Sequence, residues 1–353
     1  MFAEATGAQR VGAESGFFEL GGDSLRAIRA VGLLRAHDVE VSVQDLFRRQ
    51  TVAALAAGLT TATTAQAVGT APFALVDEEQ RAALPADVVD AYPLTQAQAG
   101  MVHLMLAGAD RGLYVNTLGY PVHDDGEFSL PALREAARLL AAKHEILRTS
   151  IDLADGGTPL QRVHAAAEVD LDCTDLRGLD RDTQAARVRG SLDADRARPF
   201  DLARPCLLRL HVHRIDDREW RLTFRYVHAI LDGWSQNSLV AELLDAYRAV
   251  RADRAWPATP PAVRFADTVA RELLALESAQ DRAFWADRVD GVTGFTVPAA
   301  WAGEDDGVYR TARVPHGDLP LDAVAADAGV PLKSLLLAAH LTALRTISGA
   351  TDG

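Results

Sequence analysis

The feature that most restricts what this chain can fold into is a break in its patterning. From Thr60 to Val68 (TTATTAQAV) the sequence is a run of small residues with no apolar period. It reads as a linker, and the patterns on its two sides differ. Before it, Leu25, Ile28 and Val31 recur at helical spacing, Ser42 precedes VQDLF with Asp45 three residues on, and Thr51 precedes VAALAAGL. Hydroxyl caps ahead of short apolar runs predict a small helical bundle. After it, ALREAARLLAAKHEIL (Ala132 to Leu147) reads as a helix, while CLLRLHVHRI and WRLTFRYVHAI alternate as strands. The turn DDRE, Asp216 to Glu219, predicts that those two strands form a hairpin. With 353 residues, of which 48% are hydrophobic and 24% charged, the chain suits two or three compact units with cores of their own.

Charge and cysteine usage remove several classes of function. A formal net charge of -13 repels a phosphate backbone, and no Lys/Arg cluster interleaved with aromatics offsets it. Nucleic acid is therefore not an expected partner. The two cysteines, Cys173 and Cys206, form no CxxC pair and have no histidine at ligand spacing, so neither a disulfide framework nor a metal site is expected. No apolar run has the length of a bilayer span, and MFAEATGAQR lacks the blocks of a signal peptide. The expectation is a cytoplasmic chain without a membrane partner.

Two local patterns carry chemistry. In FFELGGDSLRAIRAV, Phe17 to Val31, Gly21 and Gly22 allow a turn, and Asp23-Ser24 stand where an apolar helical period begins. On the residues alone, either side chain serves as a helix cap. In YVHAILDGWS, Tyr226 to Ser235, alternation places Trp220, Leu222, Phe224, Tyr226 and His228 on one strand face, with Arg221, Thr223, Arg225 and Val227 on the other. Asp232-Gly233 break the strand, and Ser235 is placed to cap a helix with Leu239, Val240, Leu243, Leu244 and Tyr247 along one stripe. A histidine, a carboxylate and a glycine thus meet in one tight loop, where a ring nitrogen is available to accept a proton or hydrogen bond from an amine.

The first string, with QDLFRRQTVAALAAGL after it, resembles the carrier domain of nonribosomal peptide synthetases, in which a serine after two glycines and an acid receives 4′-phosphopantetheine. The second resembles the HHxxxDG motif of condensation domains and of the wider chloramphenicol-acetyltransferase-like superfamily. AYPLTQAQAGM (Ala91 to Met101), KHEILRTSI (Lys143 to Ile151) and RFADTVA (Arg264 to Ala270) are similar to the first, second and fourth condensation motifs, in the family's order. PLQRV (Pro159 to Val163) and RPFDLARPCLLRL (Arg198 to Leu210) look like intervening family segments. The first histidine of the HH pair, usually regarded as structural, is Val227 here.

The resemblance implies a multidomain chain: a small all-α four-helix carrier bundle over 1–60 with a shortened first helix, a linker over 61–90, an α/β condensation N-lobe over 91–265, and the beginning of the C-lobe over 266–353. The family's later motifs are expected to continue past Gly353. It also implies that Ser24 carries phosphopantetheine and an aminoacyl or peptidyl thioester, and that a downstream acceptor carrier brings a second aminoacyl thioester. His228 then accepts the amine proton or positions the amine. The Gly233 N–H faces the developing oxyanion, and Asp232 holds the loop through an ion pair with an arginine such as Arg148. An adenylation domain and a phosphopantetheinyl transferase are implied partners. Epimerisation of the carrier-bound residue shares the motif; AYPLTQAQAGM and DGWS favour condensation, and His228 argues against heterocyclisation. A catalytically silent carrier and docking platform is the rival from another class.

Outside the motifs, His211 and His213 share a strand face with Arg209 and are expected on a solvated strand edge rather than on a metal. His144-Glu145 is expected to brace its helix, and Trp285 to be a packing residue.

Overall fold

A computed structural model describes residues 1–22, 24–35, 37, 39, 41, 43–58, 69–108, 112–153, 157–196, 198–292, 298, 314, 317 and 319–348. Asp23, Ser42 and the Thr60–Val68 linker lie outside the described residues. Contacts divide the chain into Met1–Ala67 with Phe284–Gly353, and Val68–Ala283.

In the first unit, α1 (Phe2–Thr6), α2 (Ser24–Arg35), α3 (Val43–Arg49) and α4 (Val52–Ala57) follow one another. Phe2, Phe17, Ala27, Ala30, Val31, Leu46 and Leu55 make their shared core. Thr51 caps α4 as expected, its side chain accepting from Ala54 N at 3.1 Å. The approach to α2 depends on glycine. Gly21 holds a φ of +81°, and a Cβ on Gly22 would sit 2.4 Å from the Phe17 ring and carbonyl oxygen.

The second unit begins with α5 (Glu78–Ala82), β1 (Val88–Pro93), α6 (Gln96–Ala107), β2 (Val115–His123) and α7 (Leu130–Lys143). A 3-10 turn over Glu145–Arg148 leads into β3 (Thr149–Asp152), β4 (Leu160–His164) and β5 (Asp170–Asp175), followed by α8 (Arg181–Arg196). Then come β6 (Leu208–Arg214), β7 (Glu219–Val227), α9 (Gly233–Arg251), α10 (Phe265–Glu277) and α11 (Ala279–Val289). Two further helices, α12 (Leu321–Asp327) and α13 (Leu332–Ser348), belong to the first unit and close the described chain.

The strands form two sheets, ordered β1-β4-β3 and β2-β7-β6-β5, in which only β5 and β6 run parallel. The predicted hairpin is β6-β7, its turn closed by Ile215 N and Asp216 N donating to the Glu219 carbonyl. The predicted long helix is α7, capped by Ser129 with Pro131 in its first turn. Ala132, Leu133, Ala136, Ala137, Leu140 and Ala141 recur on its buried face and join one core with Trp220, Leu222, Phe224 and Tyr226 of β7 and Leu239, Val240, Leu243 and Tyr247 of α9.

The segment between linker and first strand is tied down at several points: Thr70 N donates to Asp267 Oδ1 and Phe73 N to Asp90 Oδ1, both at 2.6 Å, and Arg264 reaches Glu145 and the Thr70 carbonyl. The boundary expected after residue 265 falls at the first turn of α10, whose Ala266 and Val269 pack with Tyr92 and Val163. His144 bonds Glu242 at 2.9 Å, tying the end of α7 to α9.

Two expectations are corrected. Trp285 is exposed, as is Phe284, because α11 has no buried residue. His213 is not on a solvated edge. β6 is an interior strand between β5 and β7, and α8 contributes Ser191 to the His211 ring, so His213 is only 1% exposed. Its ring stacks on His211 at 4.2 Å and 16°, a near-parallel arrangement in which the two rings cannot aim lone pairs at one ion.

Candidate active site

The loop that leaves β7 is assembled by backbone bonds from three directions. β7 ends at Val227, so His228 opens a turn rather than extending the alternation of the strand. His228 N donates to the Tyr114 carbonyl at 2.7 Å, Ile230 N to the Val227 carbonyl at 3.1 Å, and Val227 N to the Leu207 carbonyl at 3.1 Å. Val227 itself is fully buried in the core. Its side chain packs the strand end into the core, and its carbonyl accepts from Ile230 N in the loop.

The imidazole of His228 is half-buried, with the Tyr114 ring stacked parallel to it at 6.4 Å and the Tyr226 ring edge-on at 6.3 Å. Its Nδ1 lies 2.9 Å from the Leu231 carbonyl oxygen. A carbonyl only accepts, so Nδ1 carries the proton and Nε2 keeps its lone pair. Asn116 Nδ2 stands 3.2 Å from the same Nδ1 but donates to the Tyr226 hydroxyl at 3.0 Å. Burial pushes the Tyr226 phenol up, so it stays neutral beside the ring.

Asp232 is the N-cap of α9: its Oδ1 accepts from Ser235 N at 2.7 Å. This corrects two expectations. Ser235 is the recipient of the cap rather than the cap, and Asp232 makes no ion pair among the described residues. Arg148 is occupied elsewhere, donating from Nε to the Ala141 carbonyl at 3.1 Å and from NH1 to the His164 carbonyl. Those bonds tie the 3-10 turn to α7 and β4, and they hold the guanidinium away from the loop. Gly233 is the first residue of α9 and is exposed; a Cβ there would meet nothing within 4 Å. The fold itself therefore does not require a glycine at that point, and its open side is available to a ligand.

His228, Asp232 and Gly233 are thus brought together, while Arg148 is not. Ser24 begins α2 in the other unit, and its side chain lies outside the described residues. Tyr114, Asn116 and Gln98 were missed by sequence reasoning. They lie more than a hundred residues before His228, and only the pairing of β2 with β7 sets Asn116 opposite Tyr226. No signal in a single sequence announces that register.

A second array has the form of a serine, an imidazole and a carboxylate: Ser150 Oγ lies 2.8 Å from His164 Nε2, and His164 Nδ1 2.8 Å from Asp87 Oδ2. The His164 hydrogen bond holds the Asp87 carboxyl below the usual carboxylate range. Ser150 is 1% exposed, so no carbonyl substrate reaches it, and the array braces β3, β4 and the start of β1. Among the described residues no group of three or more His, Cys, Asp and Glu side chains is placed to hold a metal ion, and no single helix is long and apolar enough to cross a membrane.

Residues 88–353 match the family model described as a condensation domain, and residues 1–59 match that described as a phosphopantetheine attachment site. The AMB antimetabolite synthetase AmbE of Pseudomonas aeruginosa is 38% identical over 97% of this chain and 17% of its own length. The phosphinothricin tripeptide synthetase PhsB of Streptomyces viridochromogenes is 29% identical over 97% of this chain and 29% of its own. The chain therefore spans less than a third of either relative. Among solved structures, the first condensation domain of the calcium-dependent antibiotic synthetase superposes with a TM-score of 0.59 at 23% identity, covering 74% of this chain and 63% of that one. That likeness shows the fold.

Proposed function

The chain belongs to the condensation-domain family, with a phosphopantetheine attachment domain ahead of the condensation domain, and from that premise we propose that it forms peptide bonds in nonribosomal peptide synthesis, with Ser24 on the donor side and His228 at the reacting centre. The observation that carries this reading is the bond from His228 Nδ1 to the Leu231 carbonyl, which leaves Nε2 as an acceptor.

Ser24 fits the attachment of 4′-phosphopantetheine. It opens α2 close after a turn in which Gly21 takes a left-handed φ and Gly22 leaves no room for a side chain, and a phosphoester at a helix start meets unpaired N–H groups. The group supplies a terminal thiol that holds an acyl chain as a thioester. The protein's own residues do the rest. His228 Nε2 accepts a hydrogen bond, and then a proton, from the amine of an aminoacyl thioester brought by a downstream carrier. That amine's nitrogen bonds to the donor carbonyl carbon, the carbon–sulfur bond breaks, and the departing thiolate takes up the proton. The Gly233 N–H, at the open start of α9, is offered to the carbonyl oxygen as charge develops on it. Asp232 acts only by capping that helix. Tethering both reactants raises their effective concentration, so one titrating side chain suffices. An adenylation domain that loads Ser24 and a phosphopantetheinyl transferase that modifies it are the implied partners.

The test uses the full-length protein containing this chain, loaded at Ser24 and supplied with a loaded acceptor carrier. Intact mass should show dipeptidyl thioester, lost when Ser24→Ala blocks loading and reduced about 10²- to 10⁴-fold in His228→Ala. Inversion of the Ser24-bound residue without acceptor would indicate epimerisation instead. Tight docking of the carriers with neither product would indicate a silent platform.

A further inference from the structure

We infer that Gln98, on α6, is a positioning residue for amide formation, acting through the His228 loop; the inference rests on the assignment of His228 as the acceptor of the amine proton. Gln98 is 4% exposed, and both ends of its amide are engaged. Nε2 donates to the Ala229 carbonyl at 2.9 Å and to Gln161 Oε1 at 2.9 Å. Oε1 accepts from Thr95 N at 2.9 Å and from Gln161 Nε2 at 3.0 Å. Gln161, on β4, is fully buried and donates also to the Pro93 carbonyl at 3.2 Å. The reciprocal amide pair therefore joins the β1-β4-β3 sheet to the turn that leaves the other sheet.

The contact matters because of where Ala229 lies. It follows His228 directly and precedes by two residues the Leu231 carbonyl that fixes the imidazole through Nδ1. A shift of the Ala229 peptide moves that carbonyl, and the ring orientation follows. Among the described residues the other backbone ties of the turn lie on the β2–β7 side, to the Tyr114 carbonyl just before β2 and the Val227 carbonyl at the end of β7. Gln98 is the hold from the opposite side. An uncharged amide is the group this position requires, since Nε2 must donate to two oxygens at once while Oε1 accepts. A carboxylate there would face the Ala229 and Gln161 oxygens without a proton to offer.

The experiment compares Gln98→Met, Gln161→Met and His228→Ala in the full-length protein. It reads single-turnover dipeptidyl thioester formation, urea unfolding, and the ¹⁵N shifts of His228 in selectively labelled chain. Both Met variants remove the amide pair and should lose similar stability, but only Gln98→Met frees the Ala229 carbonyl. Gln98→Met should lower the rate about 10- to 100-fold with KM little changed, as expected for a slightly misplaced reacting group, and well beyond Gln161→Met. Its His228 ¹⁵N shifts should move from a single Nδ1–H tautomer toward a mixture. A Gln98→Met rate within threefold of wild type, or equal losses in both Met variants, would overturn the inference. If His228→Ala turns over normally, the assignment of His228 fails by itself; the ¹⁵N shifts then still decide whether Gln98 orients the ring.

Discussion

The β6-β7 hairpin carries a histidine near each of its ends, and the two have opposite fates. His228, just beyond the end of β7, is half-buried, with Nδ1 committed to a carbonyl and Nε2 without a hydrogen-bond partner among the described residues. His213, near the turn, is buried with neither ring nitrogen bonded to protein. Burial, with His211 and Arg221 adding to it, pushes the His213 imidazole down to about 4. A histidine at one end is oriented by a single bond and open to a partner. At the other it is a neutral core residue, whose burial its sequence neighbourhood does not announce. Exposure and one oriented bond, rather than residue type, separate the proposed reactive imidazole from the buried one.

The strongest test of this contrast is exchange of roles. His228→Ala should abolish most condensation, about a 10³-fold loss, whereas His213→Leu should leave the rate of dipeptidyl thioester formation within about threefold at pH 7.5. Equal losses in both would erase the distinction.

A second test uses acid. Because the folded value of His213 lies below its unfolded one, the unfolded chain binds the extra proton. The stability conferred by the neutral ring is complete above about pH 6.5 and declines as pH falls toward 4. Between pH 6.5 and 5 the loss should be about 2 kcal/mol. Urea midpoints measured at pH 7 and pH 5 should therefore converge in His213→Leu. Acid sensitivity that persists in His213→Leu would place its origin elsewhere.

The smallest effect concerns the cap beside the reactive end. Asp232→Ala removes the acceptor for Ser235 N and should cost about 1 kcal/mol in urea unfolding. Asp232→Asn or Asp232→Ser, which keep a capping oxygen, should restore most of it. Rescue by those variants would show that no negative charge is needed at this position, as the lack of an arginine partner among the described residues implies. Failure of both would revive an ion pair as the role of Asp232.

Much of this arrangement was legible because helices and turns are written over a few residues. Thr51 and the Asp216 turn predicted their own neighbourhoods, and the alternation of β7 was readable from its aromatic residues up to Val227. Two of the readings that failed required partners distant in sequence, whereas the cap of α9 turned on two residues three apart, Asp232 and Ser235. Arg148 has two carbonyls within hydrogen-bond reach that no local pattern locates. His213 looked solvated because the parallel β5 strand and α8, which cover it, are separate segments whose placement follows from sheet order.

By itself the sequence determined the elements, the two-part organisation and the loop in which His228, Asp232 and Gly233 stand together, since each depends on backbone preferences and apolar period over a few consecutive residues. Only the tertiary structure decided which imidazole nitrogen is free, what caps α9 and which buried amide holds the turn. The bonds of the buried amide join groups whose sequence separation carries no record of their distance in space, and they follow from strand register and core packing; the His228–Leu231 and Asp232–Ser235 bonds each span three residues, and there the backbone path of the turn, rather than residue type, selects the partner.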